Sequence, residues 1–207
     1  MPAQSDTSPE PLRLAVILGS VRDSRYGPTV SRWFLQEARQ HGGFQVDGID
    51  LADTPLPAAL PPGFDDPAAP DRRTDAQRAL AARVGEAEAF VVVTPEYNHS
   101  FPASVKHFVD WHFTEWQAKP VGFVSYGGAA SGLRAVEALR LVFAELHAVT
   151  MRDAVSFDRF TAPFDADGRP PAPEEASGAA KTLLDQLGWW GDALRHARRT
   201  HPYDVAD

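Results

Sequence analysis

The 207-residue chain contains no cysteine, which removes disulfides, thiolate nucleophiles, cysteine-bound zinc and iron–sulfur clusters from consideration. Any redox chemistry must therefore be borrowed from a bound cofactor. Basic residues are in deficit: 20 Lys and Arg stand against 28 Asp and Glu, a formal charge of −8. That balance argues against nucleic acid or an anionic membrane as partner, because both demand a basic face. Long apolar runs are missing too. Stretches such as Ala15–Leu18 and Phe90–Val93 fall far short of the roughly 20 residues that span a bilayer. The opening residues, MPAQSDTSPEP, have neither a basic start nor an apolar stretch, so no export signal is expected and a cytoplasmic protein is.

Several motifs are absent as well. There is no Gly-Lys-Ser/Thr of a P-loop, no GxGxxG, no GxSxG elbow and no HExxH. His99, His107 and His112 do not fall at the i, i+4 spacing that places two imidazoles on one helical face, and no metal site is expected.

What is present is an alternation of short β-type runs with longer amphipathic ones, the pattern of βαβ units on a parallel sheet. Leu12–Gly19, Phe44–Leu51, Ala89–Thr94, Pro120–Tyr126 and His147–Val155 read as five strands. Helices are expected from Pro28 to the stop at His41-Gly42-Gly43, over 75–87, 102–111 and 133–146, and finally over 174–199. The last carries an apolar stripe of Leu183, Leu184, Leu187, Trp190 and Leu194. Trp111, Phe113 and Trp116 at a helix end, and the Trp189-Trp190 pair, read as packing residues. The proline-rich stretch 52–75 is a long loop that covers either a site or a neighbouring subunit, or is simply solvated. One domain over 12–199 with polar tails at 1–11 and 200–207 is expected. Five strands and five helices in strict alternation imply a flavodoxin-like, doubly wound α/β sandwich with a parallel sheet in the order 2-1-3-4-5. Ligands then bind at the carboxyl ends of strands one and three, where the winding reverses.

Three loops fall on that rim. The first, 19–27, offers hydroxyls at Ser20 and Ser24, guanidinium groups at Arg22 and Arg25, and the start of a helix at Gly27, Pro28 and Thr29, a combination suited to a phosphate. The second is Thr94-Pro95-Glu96-Tyr97-Asn98-His99-Ser100-Phe101-Pro102. Its prolines stiffen a turn presenting an aromatic ring and an amide, which suits a flat heterocycle. The third, 125–132, is rich in glycine and lets backbone approach a ligand closely, from Ser125 through Gly127 and Gly128.

Gly-Ser-x-Arg after the first strand, Pro-Glu-Tyr-Asn after the third, Lys106 and Asp110-Trp111 in the next helix, and the Gly-Gly loop leading to Gly132-Leu133-Arg134-Ala135 together resemble the NAD(P)H-dependent FMN reductase family. Flavin, quinone, chromate and azo reductases belong to it, and the likeness runs from about residue 12 to 157. The resemblance implies FMN as cofactor, with NADPH or NADH as co-substrate and a quinone, flavin, azo compound or metal ion as small-molecule electron acceptor. It implies Ser20 and Arg22 at the phosphate, with Pro95, Glu96, Tyr97 and Asn98 meeting the flavin ring and Ser125, Gly127 and Gly128 near its pyrimidine side. Arg25 and Gly27 stand where many members have Ser and Asn. A homodimer or homotetramer is the assembly implied. No acid or base is expected to be catalytic, since the flavin carries the chemistry. An FMN-binding electron carrier or redox sensor without nicotinamide turnover is the alternative.

Overall fold

A computed structural model describes residues 10–64 and 68–204. Of the expected features, residues 1–9 and 205–207 of the two tails and residues 65–67 of the proline-rich loop lie outside the described residues. The elements follow in the order β1 (Leu12–Leu18), α1 (Gly27–His41), β2 (Phe44–Asp50), α2 (Asp75–Glu86), β3 (Ala89–Pro95), α3 (Ala103–Asp110), β4 (Pro120–Gly127), α4 (Leu133–Glu145), β5 (Val149–Thr150), β6 (Val155–Asp158) and α5 (Pro173–Thr200). All strand pairings of the sheet are parallel, in the order β2-β1-β3-β4-β5, with β6 also alongside β4.

Alternation along β1 divides the core into two layers. Leu12, Leu14, Val16 and Leu18 pack with Val30, Trp33 and Phe34 of α1 and with Leu183, Leu184 and Leu187 of α5. Ala15 and Ile17 face the opposite way, toward Leu80 and Val84 of α2, Val105 and Phe108 of α3, and Leu139 and Phe143 of α4. Covered on both faces, β3 and β4 are buried along their whole length, which is why their sequences are continuous apolar runs. Helix α1 stops where Gly42 adopts φ +78°, and α2 starts in a capping box between Thr74 and Gln77.

Three expectations need correction. The single fifth strand expected at 147–155 is broken in two. Arg140 donates to the carbonyl oxygens of Met151 and Arg152, and Asp153 turns aside to Gln186, so the ladder with β4 lapses and resumes at Val155. Trp189 and Trp190 do not pack into the core. They meet edge to face at 5.0 Å on the outer side of α5. The inward positions there belong to Leu187 and Gly191, and a Cβ at Gly191 would sit 2.6 Å from Leu12 Cδ1, so small residues bring this part of the helix against β1. The third concerns the aromatic cluster after α3. Trp111 and Trp116 are buried, Trp116 at the end of a short 3-10 turn (Thr114–Trp116), but Phe113 is exposed.

The described residues of the proline-rich loop lie along α3. Leu56 O meets His107 Nε2 at 3.3 Å, Pro57 O accepts from Trp111 Nε1 at 3.3 Å, and the Phe64 ring rests against Trp111 at 5.3 Å.

Candidate functional site

The first rim loop begins with a tight passage. Gly19 N donates to Val93 O at 2.9 Å, tying the loop to β3, and a Cβ at Gly19 would lie 2.4 Å from Val105 Cγ2. Ser20 is fully buried. Beyond it Ser24, at φ +51°, turns the chain into α1. That helix has no side-chain cap at its start and no acidic residue in its first turn. Its amino end therefore keeps unmatched positive partial charge, which favours an anion.

The second loop is a two-residue turn. Tyr97 and Ser100 exchange both backbone hydrogen bonds, at 2.8 and 3.1 Å, with Asn98 and His99 both at positive φ. It meets the first loop directly. Ser20 Oγ and Tyr97 Oη are 2.8 Å apart, and the Arg22 guanidinium lies 3.5 Å from the centre of the Tyr97 ring. Behind the turn, Glu96 N donates to Tyr126 O. One carboxylate oxygen of Glu96 pairs with Arg134 at 2.6 Å, while its other, Oε2, is buried with no donor among the described residues.

The third loop is shaped by close backbone approach. Ser125 Oγ donates to Ser131 O at 2.9 Å, Gly132 sits at φ +86°, and a Cβ at Gly127 would be 2.9 Å from Gly132 N. Tyr126 is 2% exposed, its hydroxyl has no hydrogen-bond partner among the described residues, and burial pushes its ionisation well above the usual phenol range. The nearby Ser20 hydroxyl is already joined to Tyr97. Gly27 accommodates the Tyr126 hydroxyl, since a Cβ there would lie 2.7 Å from it.

The structure thus brings together Ser20, Arg22, Gly27, Glu96, Tyr97, Ser125 and Gly127. Pro95 closes β3 opposite Tyr126, and Asn98 is exposed at the turn tip. Gly128 faces a neighbour that sequence reasoning missed: a Cβ there would rest 3.5 Å from the Phe160 ring. Pro28 and Thr29 lie in the first turn of α1, with Pro28 lining a groove toward Leu18 and Asp50 of the β2 side. Arg25 is engaged by Asp50 in a two-point ion pair.

Other missed contributors are Asp50 itself, Ser104 and the segment after β6, while Arg134 stood in the sequence motif with no role assigned. Asp158 accepts from Phe160 N, Thr161 N and the Thr161 hydroxyl, tying down the backbone at Phe160, a residue 70% exposed. The hydrogen bonds to Asp158, with burial only a weak opposing influence, hold its carboxyl below the usual range. The Arg159 guanidinium lies 4.7 Å from the Phe160 ring and 5.7 Å from that of Tyr26. In the sequence these residues form a polar connection with no motif, and only the pairing of β6 with β4 carries them to the rim.

Over residues 12–162 the chain matches the family described as NADPH-dependent FMN reductase. It belongs to that family. An NAD(P)H-dependent FMN reductase of Schizosaccharomyces pombe is 34% identical over 120 residues, covering 58% of this chain and 60% of the relative. A probable NADPH:quinone oxidoreductase of Oryza sativa subsp. japonica is 28% identical over 178 residues, covering 83% and 85%. Among solved structures, the flavoenzyme NAD(P)H:(acceptor) oxidoreductase FerB from Paracoccus denitrificans matches with a TM-score of 0.68 at 21% identity, covering 88% of this chain and 98% of that one, a likeness of fold. The family and the Schizosaccharomyces pombe relative are both named for nicotinamide-dependent FMN reduction. The site fits FMN on its own terms. The uncapped α1 and an Arg22 with no carboxylate partner among the described residues suit a phosphate, and the orphaned Tyr126 hydroxyl and Glu96 Oε2 await polar partners.

Proposed function

We propose that this oxidoreductase passes electrons from NADPH or NADH to a small-molecule acceptor of the quinone class, with flavins, azo compounds and metal ions as further acceptors. Bound FMN supplies the electron-transfer chemistry that a cysteine-free chain lacks. The observation that carries the reading is the meeting of three strand-to-helix loops at the carboxyl ends of β1, β3 and β4, with an uncapped helix and buried unpartnered polar atoms there.

In this reading Ser20, Arg22 and the amino end of α1 at Gly27, Pro28 and Thr29 hold the phosphate, with Arg25 beside them. The backbone of Pro95, Glu96, Tyr97 and Asn98 orients the ring, and Ser125, Gly127 and Gly128 close on its other edge. Rigid backbone from tight turns suits this task, because preorganised donors and acceptors need not be ordered when ligand arrives. The chain's own role is to bind, orient and exclude water. A cytoplasmic homodimer or homotetramer is the setting we propose. No described helix is long and apolar enough to cross a membrane, and quinone reductases among the relatives support the acceptor class.

The test is an anaerobic absorbance titration of the FMN-loaded protein. NADPH or NADH is expected to bleach the flavin spectrum, and a quinone to restore it catalytically. FMN-loaded protein that neither nicotinamide bleaches would replace this reading with the electron-carrier one. Protein with no FMN affinity would overturn both.

A further inference from the structure

Two successive carbonyls of the first rim loop are tied to side chains. Gly19 O accepts from the Ser104 hydroxyl at 2.5 Å, and Ser20 O accepts from Arg25 at 2.7 Å. An anion site requires this, because free carbonyl oxygens turned toward a phosphate would repel it, whereas amide N–H groups attract it. The Arg25 guanidinium is itself held. The two nitrogens meet the two carboxylate oxygens of Asp50 at 2.5 and 2.8 Å, the fork-to-fork geometry specific to arginine. Asp50 is held in turn. Its Oδ1 accepts from Ala52 N at 3.0 Å and its backbone oxygen accepts from the Thr54 hydroxyl at 3.1 Å. Both side chains are largely covered, 18% and 26% exposed. Arg22, by contrast, lies over the Tyr97 ring and has no carboxylate partner among the described residues.

We infer that Asp50 and Arg25 are positioning residues for the phosphate turn, a brace running from the end of β2 through the Ser20 carbonyl, with Arg22 and the α1 amino end as the charges that meet phosphate. Arg25, neutralised by Asp50, acts on the ligand through the Ser20 backbone and makes no contact with it. The inference rests on the FMN reading of this loop and assigns Asp50 a role in it.

The experiment measures FMN and riboflavin affinity, each across a KCl series, for the full-length protein and for Arg25→Gln, Asp50→Asn, Arg25→Lys and the Arg25→Gln/Asp50→Asn double variant. Thermal melts of the ligand-free proteins control for folding. The expected result is that each single variant weakens FMN binding by about tenfold, the scale of one lost charged hydrogen bond. Riboflavin affinity and the salt dependence of FMN binding stay as in the native protein. The double variant is no worse than either single one, and Arg25→Lys does not restore affinity because an ammonium lacks the fork. Asp50→Asn binding FMN more tightly, or Arg25→Gln flattening the salt dependence, would make Arg25 a direct phosphate ligand and overturn the brace. Equal losses for FMN and riboflavin would also overturn it, as a general structural defect. Should the native protein bind FMN no better than riboflavin, the phosphate reading of the loop itself would fall.

Discussion

At the amino end of the sheet, cations are matched with acceptors. Lys119 Nζ donates to Gly85 O at 2.7 Å, Arg198 donates to Ala118 O, Arg195 pairs with Glu88 at 3.5 Å and Asp192 at 2.6 Å, and Arg13 pairs with Glu86 at 3.1 Å. At the carboxyl end, Arg22 and Arg159 lie against aromatic rings with no carboxylate partner among the described residues, and Tyr126 Oη and Glu96 Oε2 are buried without partners. Buried polar groups left unpaired cost a protein stability, so their gathering at one end is what supports the proposed ligand site there. The amino end is a finished surface and the carboxyl end an unfinished one.

The largest expected effect tests whether the rim is built by its own backbone or only by ligand. Gly132→Val places a branched side chain at φ +86°, with its Cβ 2.7 Å from Ser125 Cβ and 2.9 Å from Tyr126 N. A loss of about 4 kcal/mol in urea denaturation of the ligand-free protein is expected. Unchanged stability would mean that the loop is not preorganised.

Next, Arg22→Asp replaces attraction to phosphate by repulsion. FMN dissociation should rise by about 100-fold in a fluorescence titration, with the ligand-free melting temperature lowered by no more than a few degrees, because among the described residues Arg22 makes no ion pair and loses only its contact with the Tyr97 ring. A destabilised protein with normal FMN affinity would erase the contrast between the two ends.

The smallest effect probes the finished end. Lys119 is buried with a carbonyl as its acceptor, and burial, aided by repulsion from Arg198, pulls its pKa from 10.5 down to about 8. The folded protein thus binds fewer protons than the unfolded chain between those values. Stability contributed through this group rises with pH across that window, and below it the full cost of burying the charge remains. Lys119→Met is expected to gain about 2 kcal/mol at pH 7, an advantage that shrinks as pH rises from 8 toward 10.5. An advantage independent of pH would show that the ammonium is adequately solvated by its neighbours.

How legible the site was in sequence depended on whether its residues were neighbours in the chain. Ser20, Arg22, Glu96, Tyr97 and Gly127 fall in short loops directly after apolar strands, so position and residue type announced them together. Asp50 and Arg159 also follow or end strands, but each is an ordinary polar residue until β2 is laid beside β1 and β6 beside β4. Arg25 was visible as a charge in the first rim loop, yet the carboxylate that engages it lies 25 residues away in the chain. Trp189 and Trp190 misled because large aromatic residues on a helix are read as packing, whereas the close packing of Gly191 on Leu12 sets which side of α5 faces inward.

Residue pattern alone carried the strand and helix rhythm through the fourth strand and the three loops on the rim, because burial on two faces and helix capping act between near neighbours in the chain, while the 2-1-3-4-5 order followed from right-handed crossovers and the commonest arrangement of five strands. Three-dimensional packing sets which arginine is paired with a carboxylate and which lies against an aromatic ring instead. That choice turns on ångström-scale distances between segments remote in the chain, and no spacing along one strand or loop encodes them.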